Sequence, residues 1–313
     1  MKDVDAASRF WDREVQEQQH VSWMAHPLVR EYINEAITGS PHQWPMEWFE
    51  RMTQRRRFKR VLSIGCGSGA FERDLMKRGL ADRIDALDGS THSLHLARNA
   101  ADQEGFGNAI GYFACDFNEP VLPRGTFDLV VFHQSMHHVA KLEKLLRRVL
   151  LSLTDDGLVY IDEYVGPSRH DWSFELLKPH EAAFQVVPPE VRIVQTLPLP
   201  IVYEDPSEAI RSSEIEEQLA VGFDCIDQRG YGGNLLAIFF PSIHWSIAPE
   251  GLVEKLIDAE RKLLRSGHDS YHKVGLYRPK QGTAQRLASL RYFAEPKVKR
   301  IGREVRRRVK SEE

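Results

Sequence analysis

Cysteine is scarce in this chain of 313 residues: Cys66, Cys115 and Cys225 are odd in number and far apart. That spacing supports neither a disulfide framework nor a zinc site, and it fits a reducing cytoplasm. Long apolar runs are missing too. The longest candidate, Leu235 to Phe240, falls far short of the roughly 18 residues of a membrane span. The opening Met1-Lys2-Asp3-Val4-Asp5 has no basic stretch leading into an apolar one, so no secretory signal is expected. No internal repeat or low-complexity segment is visible. A basic surplus is also lacking. Net charge is −3, and residues 297–313 hold eight Lys/Arg against three Glu, leaving 34 basic and 42 acidic residues elsewhere. An acidic body offers no groove for a phosphate backbone, so nucleic acid is not expected as a partner.

What is present divides into zones. Residues 1–58 look helical and hold Trp11, Trp23, Trp44 and Trp48. Pro27 suits a helix first turn, and Gly39 a stop. Residues 59–165 alternate strand and helix, with strands expected at Arg60–Ile64, Ile84–Leu87, Ile110–Ala114, Phe127–Phe132 and Leu158–Ile161. Leu142, Leu145, Leu146, Val149, Leu150 and Leu153 fall at helical spacing, and Asp156-Gly157 reads as the turn that follows. Apolar strands alternating with helices predict an α/β domain whose largely parallel sheet is covered on both faces. Prolines 167, 179, 188, 189, 198, 200 and 206 make residues 166–222 an irregular excursion. Strand and helix return over 223–280, at Phe223–Gln228, Leu252–Leu264 and Tyr271–Tyr277, before a basic segment from 281 to 313.

The most informative stretch is Val61-Leu62-Ser63-Ile64-Gly65-Cys66-Gly67-Ser68-Gly69-Ala70. A strand runs into three alternate glycines and then a helix. Backbone without Cβ can turn tightly and approach a ligand, and the new helix offers free amides. The same letters satisfy the glycine fingerprint of dinucleotide enzymes. Asp88, ending the next strand, can accept both hydroxyls of an adenosine ribose, a role common to several nucleotide-like cofactors.

The third and fourth strands discriminate. Phe113-Ala114-Cys115-Asp116-Phe117 ends with an acid and an aromatic. Phe127-Asp128-Leu129-Val130-Val131-Phe132 runs into His133-Gln134-Ser135-Met136-His137-His138. With Leu158–Glu163, these residues resemble class I S-adenosyl-L-methionine-dependent methyltransferases over about 58–165, and more loosely over 223–280. The resemblance implies a Rossmann-like, seven-stranded, mostly parallel sheet with flanking helices, a helical N-terminal extension and an insertion after the fifth strand. It implies S-adenosyl-L-methionine as cofactor and S-adenosyl-L-homocysteine as product. The cofactor residues it implies are Gly65, Cys66, Gly67, Gly69, Asp88, Gly89, Asp116, Phe117 and His133, with Asp116 at the adenine amine. One position departs: the family commonly has an acid two residues before the first glycine, and here it is Ser63.

The motifs of DNA amino- and cytosine-methylating enzymes are absent. The expected acceptor is a small molecule or glycan, methylated on a hydroxyl or amino group, with residues 1–58 and 166–222 as substrate cover. Methyl transfer is an in-line displacement that depends mainly on alignment, and a hydroxyl acceptor gains from a base. His137 and Glu163 are the catalytic candidates. The plainer alternative has the paired histidines only packing the loop. No metal-ligand spacing is visible. Two other readings stay open: a methyltransferase-like binding module without turnover, motivated by Ser63, and an NAD-dependent oxidoreductase. The basic tail, with Val298, Ile301, Val305 and Val309 as a narrow stripe, suggests either weak peripheral membrane contact or a solvated or partner-packed helix. Oligomeric state is not legible.

Overall fold

The computed structural model describes residues 22–294. Trp11 and the basic stripe of 297–313, with the membrane contact suggested for it, lie outside the described residues. Seven strands form one sheet: β1 Val61–Ile64, β2 Ile84–Asp88, β3 Ile110–Ala114, β4 Phe127–His133, β5 Leu153–Tyr164, β6 Phe223–Gly230 and β7 His272–Pro279. Their order is β3-β2-β1-β4-β5-β7-β6. Strands β1 to β5 pair in parallel, whereas β7 runs antiparallel to both neighbours. The order reverses between β1 and β4. Open α/β sheets bind ligands at the carboxyl ends of their strands beside such a reversal.

The helices are α1 Pro27–Thr38, α2 Pro45–Met52, α3 Ala70–Lys77, α4 Thr91–Gln103, α5 Leu142–Ser152, α6 Phe174–Phe184, α7 Ile215–Gly222, α8 Leu236–Phe239, α9 Leu252–Arg265 and α10 Thr283–Ala294. Alternation along the strands separates two cores. Val61, Ile84, Leu129, Val131 and Tyr160 join one; Leu62, Ile64, Val130, Phe132 and Val159 join the other. This double burial is why the strands read as nearly unbroken apolar runs. Leu142, Leu145, Leu146, Val149 and Leu150 are all buried, and α5 packs against α7 and α10. On the opposite face, Trp48 and Phe49 of α2 lie against Tyr160, and the Trp48 indole donates to Asp227 at 3.1 Å.

Helix α1 starts at Pro27 and ends at Gly39, whose φ of 83° supplies the left-handed cap. Trp23 and Trp48 are core residues, while Trp44 is exposed beneath the Arg30 guanidinium. One boundary differs from expectation. β5 begins at Leu153, directly after α5, and Asp156-Gly157 lies inside it. Phe127 pairs with Leu153 but Leu129 with Leu158, so residues 154–157 form an outward irregularity within the strand. Arg56 holds it through the Asp156 carbonyl and carboxylate at 3.0 and 2.9 Å. No described helix is long and apolar enough to cross a membrane.

Candidate active site

The glycine loop joins β1 to α3. Gly65 takes φ 79°, and a Cβ there would meet the Ser135 Cβ at 2.2 Å. Gly67 takes φ 50° and would meet nothing within 4 Å. Gly69 packs on Tyr112 and Ala97. Two of the three glycines therefore serve the protein's own packing, and Gly67 is the one left open to a ligand. The Asp88 carboxylate closes the loop from β2, accepting the Gly67 amide at 2.7 Å and the Ser90 amide at 2.8 Å. Ser90 caps α4 through the Ser93 amide, so Gly89 is fixed between two tied residues. Across the edge, Asp116 accepts the Asn118 amide at 2.8 Å, with Phe117 half-buried beside it. Burial, then the Glu72 and Asp88 carboxylates, push the Cys66 thiol well up. Cys66 is therefore a neutral wall group rather than a nucleophile.

Ser63 has an acid behind it. Its hydroxyl donates to Glu72 Oε1 at 2.5 Å. Glu72 comes from the first turn of α3 and is buried. Its other oxygen, Oε2, is buried without a hydrogen-bond partner. Burial pushes the Glu72 carboxyl above the usual carboxylate range, against the pull of the Ser63 hydrogen bond.

The loop after β4 is built on a second buried acid. Glu163 of β5 has no exposed surface. Its Oε1 accepts the Ser135 and Met136 amides at 2.7 and 2.6 Å, and its Oε2 lies 2.8 Å from His137 Nδ1. Burial raises the Glu163 carboxyl, but His137 and the two amides outweigh it and hold the group below its ordinary value. Burial likewise lowers His137, yet Glu208, Glu163 and Asp205 carry it up to about 9. Gln134 sits at φ 53°, a cost borne because Asp162 and Tyr231 grip it. His133 points outward and stacks on Phe71 at 4.9 Å.

The excursion after β5 contributes groups that the sequence reading did not single out. Glu208 Oε2 lies 3.8 Å from His137 Nε2 and 3.5 Å from His138 Nε2. His138 Nδ1 lies 3.1 Å from Ser207 Oγ and 3.5 Å from Asp205 Oδ2. Asp205 is fully buried. The histidines and these acids stand 67 to 71 positions apart in the chain, so no local spacing could announce the cluster. The one available signal was the Asp205-to-Ser213 segment itself, dense in acids and hydroxyls.

Residues 62–161 match the family model described as a methyltransferase domain. Over those residues the chain has a methyltransferase domain, and its resemblance to the class I adenosylmethionine-dependent superfamily is borne out there. Over 114 residues it is 25% identical to a sterol 24-C-methyltransferase of Yarrowia lipolytica, covering 36% of this chain and 30% of that protein. Over 102 residues it is 31% identical to a ubiquinone biosynthesis O-methyltransferase of Bradyrhizobium diazoefficiens, covering 33% and 38%. The match thus spans about a third of these relatives. The fold is shared with a geranyl diphosphate C-methyltransferase of Streptomyces coelicolor, solved in complex with S-adenosyl-L-homocysteine. The TM-score is 0.53 at 12% identity, covering 90% of this chain and 99% of that one.

The cofactor of such a domain is S-adenosyl-L-methionine, and the residues at this edge fit it. Open space above Gly67 admits a backbone-hugging ligand. Asp88 offers paired acceptors, and the unpartnered Glu72 oxygen offers a buried anion for an ammonium group. The methyltransferase domain is flanked by an aromatic cluster. Tyr164 stands edge-on to His137, Tyr271 and His272. Trp172 and His180 join from the excursion, and Trp23 from the N-terminal segment. Burial, then His137, pull His272 down to about 3, so it is a neutral ring at neutral pH. Two clefts of about 240 and 440 Å³ lie away from this edge, one lined by residues of α1 and α9, the other by residues around α5 and α10.

Proposed function

We propose that the protein is an S-adenosyl-L-methionine-dependent methyltransferase that methylates a hydroxyl or amino group of a small molecule or glycan unit. The observation that carries this reading is the buried Glu72 carboxylate behind Ser63, with one oxygen left unpartnered beside the open glycine loop. A binding module that had lost its cofactor would have no use for an uncompensated buried acid, since such a group costs stability. The donor's ammonium would meet Glu72, its ribose Asp88, and its adenine the Asp116–Phe117 turn, with Gly65, Cys66, Gly67, Gly69, Gly89 and His133 around it. The sulfonium supplies an activated methyl group and a good leaving group; the protein supplies alignment. An NAD-dependent oxidoreductase leaves the Glu72 oxygen and the Glu163-built loop without a task.

On the acceptor side, Glu163 is enclosed, and it acts by positioning the loop and His137. His137 Nδ1 is committed to Glu163, which leaves Nε2 as the atom turned away from the sheet toward Glu208. Because His137 is raised to about 9, it takes an attacking hydroxyl's proton only in its neutral fraction, and turnover should rise with pH toward that value. The rings of Tyr164, Trp172 and Trp23 form the apolar wall beside that cluster, which suits an acceptor with one flat face.

Calorimetry tests the cofactor half directly. An ammonium group beside Glu72 lowers its raised pKa, so S-adenosyl-L-homocysteine binding should release protons above the ordinary carboxylate range. Buffers of different ionisation enthalpy read that release. Glu72→Gln should abolish it and weaken binding by about 10- to 100-fold, as for a lost hydrogen bond to a charged group. Unchanged affinity and proton release in Glu72→Gln would overturn this placement.

A further inference from the structure

We propose that His137 Nε2, His138 Nε2 and the Glu208 carboxylate bind a divalent transition-metal ion of the zinc type. The three ligand atoms lie within 4.8 Å of one another. Two imidazoles and one carboxylate form a mixed nitrogen–oxygen set suited to zinc and its neighbours rather than to calcium or magnesium.

The spacing favours an ion over a shared proton. Glu208 Oε2 stands 3.8 and 3.5 Å from the two ring nitrogens. Hydrogen bonds would require roughly 2.7–3.2 Å. Ligands bound at about 2.0–2.1 Å around a tetrahedral ion are about 3.3 Å apart, close to the separations found. A small inward movement of Glu208, the most exposed of the three at 27%, completes the set.

The support behind the ligands is already in place. Metal-binding histidines give their second ring nitrogen to a carboxylate or similar acceptor, which fixes the tautomer. Here both do: His137 Nδ1 faces Glu163 at 2.8 Å, and His138 Nδ1 faces Ser207 and Asp205. Glu163 is locked by two backbone amides, and Asp205 by the Ser207 amide and hydroxyl. Both Nε2 atoms are thereby turned toward the Glu208 carboxylate, where a metal ion can take the place of the protons that they would otherwise carry. Glu163, Asp205 and Glu208 surround two imidazoles, an excess of negative charge that a divalent ion offsets.

Backbone contacts hold the two contributing segments together. The Ile210 amide donates to the His137 carbonyl at 3.1 Å, and the Arg169 amide to the Ala209 carbonyl at 2.8 Å. Ala209, next to Glu208, sits at φ 49°. A non-glycine residue kept in the left-handed region beside a ligand is backbone strain sustained by its surroundings.

The role of the ion rests on the acceptor reading above; its binding does not. Three protein ligands leave a fourth position open, where an acceptor oxygen would be polarised and its proton loosened. The loaded protein would thereby shift that task from His137 to the ion.

The test is Co²⁺ titration of the chelator-stripped full chain, followed by the visible absorption of low-coordinate Co²⁺. One equivalent should bind. Glu208→Gln and His138→Ala should weaken it by at least about 100-fold, and Asp205→Asn by about 10- to 100-fold, as for loss of an outer partner. S-adenosyl-L-homocysteine binding, measured on the same samples, should persist in Glu208→Gln, which shows the fold intact. No stoichiometric Co²⁺ uptake by the unmodified chain, or equal uptake by Glu208→Gln, overturns the proposal. Co²⁺ uptake without S-adenosyl-L-homocysteine binding would overturn the methyltransferase reading and leave the metal site standing.

Discussion

Three carboxylates organise the site, Glu72 and Glu163 buried and Asp88 half-buried, each by a different means. Asp88 is satisfied by backbone amides, Glu163 by amides and an imidazole, and Glu72 only by half. The half-satisfied group is the one with something left to bind. His137 differs from its neighbour because Glu163 fixes its ring, whereas burial and the adjacent His137 charge pull His138 down. Substituting His137 with Ala should cut methyl transfer to a hydroxyl acceptor by about 100- to 10,000-fold, the range for loss of acid–base assistance. Donor affinity should be little changed. Product formation from labelled donor checks this, and undiminished turnover would remove His137 from the chemistry. The glycines, Asp88, Asp116 and the paired histidines each end or follow a strand that the hydrophobic pattern marks, and the structure brings them to one sheet edge. Glu72 lies nine positions beyond Ser63 and on a different element, so its contact with Ser63 appears only once α3 is folded back on β1. Glu208 is farther still.

At the scale of elements, the hydrophobic periodicity carried most of the architecture. The α5 stripe and the unbroken β4 run follow from burial on one face and on two faces respectively. Strand direction leaves no such trace, which is why β7 is distinguished only by its pairing. Asp156-Gly157 reads as a turn in any local scheme, yet it is absorbed as an irregularity because Phe127 and Leu153 already pair before it. The β1–α3 loop and the β4 loop are packed as one unit. The Ser135 hydroxyl donates to the Ile64 carbonyl at 2.6 Å, and Ser135 fills the space above Gly65. Gly65→Ala therefore faces both a positive φ and a direct clash. It should destabilise the fold by about 2–4 kcal/mol, the range for overpacking combined with backbone strain. Chemical denaturation reads that loss, and a change within about 0.5 kcal/mol, as for an ordinary surface site, would contradict the packing described.

For the whole molecule, the strand-order reversal between β1 and β4 decides where everything else converges. The glycine loop, Asp88 and Asp116 occupy the side of the edge formed by β1 to β3. The His137 cluster and the aromatic wall occupy the side formed by β4, β5 and β7. The long excursion after β5 and the segment before α1 close on this second side, through Trp172 and Trp23. Under the proposed function one half of the edge takes the nucleoside-like donor and the other the acceptor, with the β4 loop between them. The central claim is the donor half. The most direct measurement is calorimetric titration with S-adenosyl-L-methionine and S-adenosyl-L-homocysteine, with NAD as comparison, on the unmodified chain and on Asp88→Ala. The account predicts saturable binding of the first two, none of NAD, and a loss of about 10- to 100-fold or more in Asp88→Ala, as expected when paired charge-assisted hydrogen bonds are removed. Absence of binding to either methyl-donor form, or affinity untouched by Asp88→Ala, would contradict it.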